Sequence, residues 1–470
     1  MFRKNILAAA VATAFVVPAS AFAADDAEIG KIREEIKDLK DGYENRIRSL
    51  EDKLRQAESA GPGAAAAPAA SASTPAYTNK PITMQSAFNP AISLILDGKY
   101  QNLERDPGTY QIGGFIPGGE EIGPGGRSFN LGESELTVAA NIDPYFSGVF
   151  IAAVAPENEV EIEEGYFQNS GFIPGTTVKF GRFLSGFGYL NEIHAHAWDF
   201  VDAPLVYQAF FGGQLKEEGL QARWIAPTPM FVEIGAEVGR GANFPGTDRN
   251  KNGSNAGEVF FHIGDDIGAS HSYRVGASYR KTSAAGREYE DAESSGAVPT
   301  VLNSFDGDSK MWGVDLIWKW APNGDPSLRN FKFQAEYIHR EEDGNLTFDT
   351  KDGLLLGSPS DTYKSKQSGW YVQGAYQFMP RWRVGLRYEE LDRGTVDIGL
   401  VTNGTRPAAD FPLLAENDPK RTTAMVDFSP SEFSRFRLQF ARDEARFNEA
   451  DNQVFLQYIM SLGAHGAHKF

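Results

Sequence analysis

From about Asn89 to Phe470, apolar and polar residues alternate with a period of two. In the run from Phe331 to His339, Phe331, Phe333, Ala335, Tyr337 and His339 share one face, and Lys332, Gln334, Glu336 and Ile338 share the other. That spacing predicts a strand with one apolar side and one largely polar side. The pattern recurs where Trp382, Val384, Leu386 and Tyr388 alternate with Arg381, Arg383, Gly385 and Arg387, and where Trp312, Val314, Leu316, Trp318 and Trp320 alternate with Gly313, Asp315, Ile317 and Lys319. Tyr273 to Arg280 and Val454 to Leu462 repeat it. About 16 such segments are present, each near the ~10 residues that cross a bilayer at a tilt.

Short turns at Asp143-Pro144, Pro227-Thr228-Pro229, Met379-Pro380 and Ser429-Pro430-Ser431 take turns with long polar stretches. The long ones run over Gln101–Gly126, Arg240–Gly257, Lys281–Ser309, Glu341–Ser368 and Asp392–Lys420. An up-and-down barrel predicts this alternation of tight turns on one rim and long loops on the other, whereas a soluble sandwich gives no reason for it. The expected fold is therefore an all-β transmembrane antiparallel barrel of about 16 strands spanning 89–470, with its polar face toward a wetted lumen.

The chain ahead of residue 89 reads differently. Arg3 and Lys4, an apolar run from Ile6 to Val17 and Ala21-Phe22-Ala23 predict a signal peptide over 1–23. Ile29, Ile32, Ile36, Leu39 and Tyr43, continued by Ile47, Leu50, Leu54 and Ala57 after a stutter, predict a coiled-coil helix within 24–58. Isoleucine along that seam favours three strands over two, so a homotrimer is expected, with the coiled coil in the periplasm within reach of peptidoglycan. An Ala/Pro/Ser-rich linker over 59–88 joins it to the barrel. Removing the leader takes away Arg3 and Lys4 and moves the net charge from −18 to −20, which argues against a nucleic-acid partner. With no cysteine there are no disulfides and no thiolate metal sites.

EVEIEEGYFQ (Glu159–Gln168) followed by TVKFGRFLSGFGYLNE (Thr177–Glu192) resembles the outer-membrane porin superfamily, in particular the architecture of the phosphate-selective porin O/P type. NPAISLILDGKY (Asn89–Tyr100), HAHAWDFVDAP (His194–Pro204) and MSLGAHGAHKF (Met460–Phe470) are similar to a group of proteobacterial barrels often labelled zinc-regulated or TonB-dependent outer-membrane receptors. A TonB-dependent transporter needs a plug ahead of a 22-stranded barrel, and Ser59 to Pro90 is too short and too low in complexity to supply one. The resemblance thus implies a porin in the outer membrane of a Gram-negative bacterium, bounded by lipid and lipopolysaccharide, and a third external loop folded into the barrel.

By strand count that loop is 184–213, and GYLNEIHAHAWDFVDAPLVYQAFF is too apolar to stand in solvent. Glu192, His194, His196, Asp199 and Asp202 are the candidate constriction residues. Alternation puts Lys332, Arg381, Arg383, Arg387, Arg435 and Arg437 on a basic lumen wall and Glu133, Glu135, Glu233 and Glu237 on an acidic one. Glu192, Asp199 and Asp202 would face the basic wall, setting a transverse field at a narrow waist. The histidines have three readings: packing within the loop, a zinc site through His194 and His196 with no third ligand fixed, or a pH-dependent gate. No cofactor is otherwise implied, and no nucleophile elbow, phosphate loop or HExxH spacing points to an enzyme. Alternatives to a diffusion porin are a metal-linked uptake channel and a non-conducting structural barrel.

Overall fold

The computed structural model describes residues 90–119, 122–154, 160–170, 173–292 and 294–463. The expected signal peptide, coiled coil and linker lie outside the described residues. The strands are β1 (Ala91–Leu103), β2 (Ser128–Leu131), β3 (Ser134–Asn141), β4 (Phe146–Val154), β5 (Val160–Ser170), β6 (Thr176–Leu184), β7 (Lys216–Ile225), β8 (Phe231–Gly239) and β9 (Ala256–Ile267). They continue as β10 (His271–Ala292), β11 (Thr300–Trp320), β12 (Asn330–Thr347), β13 (Ser360–Met379), β14 (Trp382–Ile398), β15 (Lys420–Ser431), β16 (Ser434–Glu444) and β17 (Asp451–Gly463).

From β3 onward each strand pairs antiparallel with the next, and β1 closes the ring on β17 from Ser93 opposite Gly463 to Leu103 opposite Gln453. Both β2 and β3 pair with β1, so they form one stave interrupted at Gly132, where any Cβ would stand 2.1 Å from the Asp97 carboxylate. The 17 segments thus make a closed barrel of 16 staves. Closure leaves no unpaired edge, which is the condition for a sheet to live in lipid.

Burial along each strand follows the predicted period, but inverted relative to a soluble protein. Leu386 is 67 % exposed and Phe180 63 % on the outer face, whereas Arg387 is 2 % and Gln334 0 % exposed on the inner face. On one rim the connections are short, at 142–145, 226–230, 268–270, 380–381 and 432–433. Arg381 sits in one of these turns with φ 72° and is exposed, so it is not part of the lumen wall; alternation fails for it because the strand has already ended. The turn expected at Ser429-Pro430-Ser431 likewise falls slightly later, since β15 runs on through Ser431.

The staves are unequal. Strands β3 to β9 have 8 to 12 residues, whereas β10 to β14 have 17 to 22. Three of the expected long loops are therefore shorter, because much of 281–309 and 341–368, and the first seven residues of 392–420, continue as strand. Above the level where one face must be apolar, both faces become mixed and the period-two signal fades while the ladder goes on. Tyr289, Val301, Phe305, Leu346 and Tyr363 on these tall strands pack with Leu400, Phe411, Leu413 and Leu414 from 399–419 into an apolar cluster of their own.

Candidate functional site

The connection between β6 and β7, residues 185–215, is the third on the long-loop rim, and we call it L3. It turns inward from the rim, as its apolar composition requires. It holds two 3-10 turns, Leu190–Glu192 and Ala195–Ala197, and one short helix, α1 (Leu205–Phe211), every residue of which is buried. A seven-residue helix has little intrinsic stability, so α1 is held by its surroundings. The Leu205 amide donates to Glu389 (2.5 Å), and Gly212 ends the helix with φ 71° where a Cβ would stand 1.8 Å from the Gly118 carbonyl oxygen.

Phe187, Leu190, Trp198, Leu205, Val206, Tyr207, Phe210 and Phe211 of L3 pack on Ile112 and Phe115 of the first long loop and on the inward side chains Met311, Ile338, Tyr371 and Leu391. The lumen at this level is thus partly dry. Polar bonds surround the apolar cluster. The Tyr207 and Tyr371 hydroxyls both donate to Glu336, at 2.8 and 2.5 Å, and Ser185 Oγ lies 2.8 Å from both Glu237 on β8 and Glu258 on β9. L3 is therefore bonded to inward groups on both sides of the barrel.

Its charges divide by wall. Asp199 meets Lys332 and, at 3.1 Å, Arg383; Asp202 meets Arg387 at 3.0 Å and Arg421 at 2.6 Å. Arg437 donates to the Trp198 carbonyl (2.9 Å) and pairs with Asp427 (2.8 Å), and Arg435 donates to the His196 carbonyl. Lys332, Arg383, Arg387, Arg435 and Arg437 thus all line the inside near L3, and Asp199 and Asp202 face them. Glu192 does not: it pairs with Arg223 of β7, on the opposite arc, because the 3-10 turn at 190–192 lies against that wall. Burial disfavours all three carboxylates, but the cations outweigh it. Arg223 and Arg274 bring Glu192 down to about 2, while Lys332 and Arg383 hold Asp199, and Arg387 and Arg421 hold Asp202, below the usual carboxylate range.

The histidines face the acidic wall. His194 Nδ1 lies 3.1 Å from Glu163 and 3.5 Å from Glu135, its Nε2 lies 3.1 Å from Glu164, and His196 Nδ1 lies 2.5 Å from Glu135. Burial works against charge on His194, but these carboxylates outweigh it and hold the imidazolium well above its ordinary range. The turn at 195–197 stacks the two rings, 5.9 Å apart and 18° from parallel. Glu133 joins this group through Glu163. Glu233 and Glu237 are buried inward groups farther round, Glu233 against His262 (2.9 Å) and Glu237 against Ser185.

Sequence reasoning missed Glu163, Glu164, Arg223, Glu336, Glu389, Arg421 and Asp427. Alternation extended through β15 would have found Arg421 and Asp427, which lie on the same face as Thr423 and Met425. The other clue was the Glu163-Glu164 doublet in an otherwise alternating strand. A β-bulge opposite Ile151 and Ala152 puts both neighbours on the inner side.

No family model matches the chain. Solved structures with similarity include an OmpT loop-deletion mutant, an outer membrane protein of Vibrio cholerae (10 % identity, 80 % of this chain and 99 % of that one, TM-score 0.49). OprB of Pseudomonas putida (13 %, 81 % and 95 %, TM-score 0.46) and the outer membrane channel DcaP of Acinetobacter baumannii (13 %, 79 % and 97 %, TM-score 0.46) are others. The likeness to barrels labelled TonB-dependent receptors gains no support from these comparisons. An uncharacterized protein of Aquifex aeolicus (strain VF5) is 32 % identical over 424 residues, 84 % of this chain and 82 % of its own. Identity at that level along most of both chains makes this barrel a member of the same family as the Aquifex protein.

Proposed function

We propose that the chain is an outer-membrane channel for passive diffusion of small hydrophilic solutes or ions, with L3 setting the width of its waist. The outer face supports the setting: its large side chains are apolar on strand after strand, and Trp318, Trp320, Phe331 and Tyr376 border a groove of about 450 Å³ near the short-turn rim, as an aromatic girdle would. The observation that carries the reading is L3 itself, strapped across a polar interior by carboxylates to one wall and by imidazoles to the other. A structural barrel has no need of a loop so placed. Homotrimeric assembly, contact with lipopolysaccharide and a periplasmic coiled coil near peptidoglycan belong to the same proposal, and light scattering of the full chain in detergent reads the first.

The test is planar-bilayer conductance of the purified full chain beside a variant in which residues 190–210 are replaced by a short Gly/Ser linker. Small, discrete steps are expected from the natural chain, and steps several-fold larger from the variant. A natural chain that stays silent while the loop-deleted variant conducts would make the protein a closed, structural barrel. Silence from both, with each folded, would end the channel reading altogether.

A further inference from the structure

We infer that His194, Glu135 and Glu163 form a binding site for a divalent transition cation of zinc's class, pinning L3 to the acidic wall of the barrel. One donor atom from each of the three lies within 4.8 Å of the others. The separations from His194 Nδ1, 3.1 Å to Glu163 and 3.5 Å to Glu135, bracket the ~3.3 Å between neighbouring donors that bonds of about 2.0–2.1 Å require in a tetrahedral shell. Imidazole nitrogen with carboxylate oxygens is a donor set that suits zinc better than the all-oxygen cations calcium and magnesium.

The surrounding groups have the arrangement that orients metal ligands. A ligating histidine usually gives its other ring N–H to a carboxylate, and His194 Nε2 is 3.1 Å from Glu164. His196 lies 2.5 Å from one oxygen of Glu135, leaving the other toward His194. Glu164 and His196 are thus positioning residues. Three protein donors leave a fourth position for water or a further donor.

Two further observations point to a cation. The bulge in β5 turns two consecutive glutamates into the lumen, a local departure from the ladder that brings both to His194. The carboxyls of Glu133 and Glu163 meet, and Glu133 Oε1 is buried without a hydrogen-bond partner. Lys216 stands at the edge of this group, its ammonium 2.9 Å from Glu161 and 4.0 Å from Glu163. A doubly charged ion between Glu135 and Glu163 would take the place of the proton that His194 Nδ1 otherwise carries toward them.

This inference does not depend on whether the barrel conducts, so its test is read without current. Untagged full chain, folded in detergent and stripped with a chelator, is titrated with zinc chloride and its retained metal measured after desalting. One equivalent is expected, with a dissociation constant of about 1 µM or below. His194→Gln and Glu163→Gln should each weaken binding by at least about tenfold and Glu164→Gln by about 10–100-fold, whereas His339→Gln, at a histidine far round the barrel, should leave it unchanged. Heat-modifiable migration on gels reports whether each variant has folded. For variants that do not fold, zinc-edge X-ray absorption of the natural chain decides: an imidazole shell supports the site, and an oxygen-only shell overturns it. Failure of the folded natural chain to retain zinc, or retention undiminished by all three substitutions, also overturns it.

Discussion

Asp199 is shared between Lys332 and Arg383, and Asp202 between Arg387 and Arg421, so single substitutions here leave more than one group without its partner. Arg421 is the most committed, reaching Asp202 (2.6 Å), Glu389 (2.9 Å) and Asp443 (3.6 Å) while only 3 % exposed. Arg421→Gln should destabilise the folded protein by about 3–5 kcal/mol, because carboxylates would remain buried with their cation removed. Denaturant unfolding of detergent-folded protein, followed by tryptophan fluorescence, measures it; a loss under about 1 kcal/mol would show that water reaches these carboxylates freely. Glu192 gives a pH dependence of definite sign. Its carboxyl is lowered from 4.5 to about 2, so its contribution to holding L3 on β7 is present in full above about 4.5 and is lost as pH falls toward 2. Open-channel noise should be flat from about pH 5 upward and rise below it, and Glu192→Gln should show raised noise already at about pH 5, with a smaller further rise below it from Asp199 and Asp202.

Among the elements, α1 is the one whose existence depends most on others, since all seven of its residues are buried and it has no capping side chain. Phe210 is fully buried between Phe115 and the guanidinium of Arg340, at ring and cation distances of 5.9 and 4.6 Å. Phe210→Ala should cost about 3–5 kcal/mol of local stability and open L3 to proteolysis while the barrel still migrates as folded on gels. Unchanged resistance of 185–215 to protease would count against α1 as the anchor. The strands were legible in the sequence because their period is a local property: Val384, Leu386 and Tyr388 point out and Arg383 and Arg387 point in, as alternation assigns them. Arg381 was misassigned because a strand's last residue is set by turn geometry, which alternation does not encode. The apolar character of L3 foretold its burial, but which wall each charge meets is decided by tertiary docking, and so Glu192 went to Arg223 rather than to the arginine wall. Glu163 and Glu164 were hidden for a related reason. A bulge breaks the period that made the rest readable, and it does so where function concentrates.

At the scale of the whole molecule, net charge and local field have opposite signs. The chain carries a formal −18, yet the lumen near the short-turn rim is lined by half-buried Lys179, Arg274, Lys319, Lys332, Arg383 and Arg435. At the short-turn end of β12 to β16, Asp199 and Asp427 face Lys332, Arg383, Arg435 and Arg437, two carboxylates against four cations, whereas farther along the same arc Arg387 and Arg421 are matched by Asp202 and Glu389. Acidic side chains on loops and outer rims sit in water, where a Debye length of about 8 Å at physiological salt screens them from ions in the pore. Charges on a confined wall are screened less, so the lumen, not the total, should set selectivity. Reversal potentials in a potassium chloride gradient should therefore favour chloride. The preference should shrink as total salt is raised, fall in Arg435→Gln and Lys332→Gln, and grow in Asp427→Asn, whose loss uncovers Arg383 and Arg437 together. A cation preference in the natural chain would mean that solutes follow the acidic wall past Glu135 and Glu163 instead, and the histidines of L3 would then line the path rather than its edge.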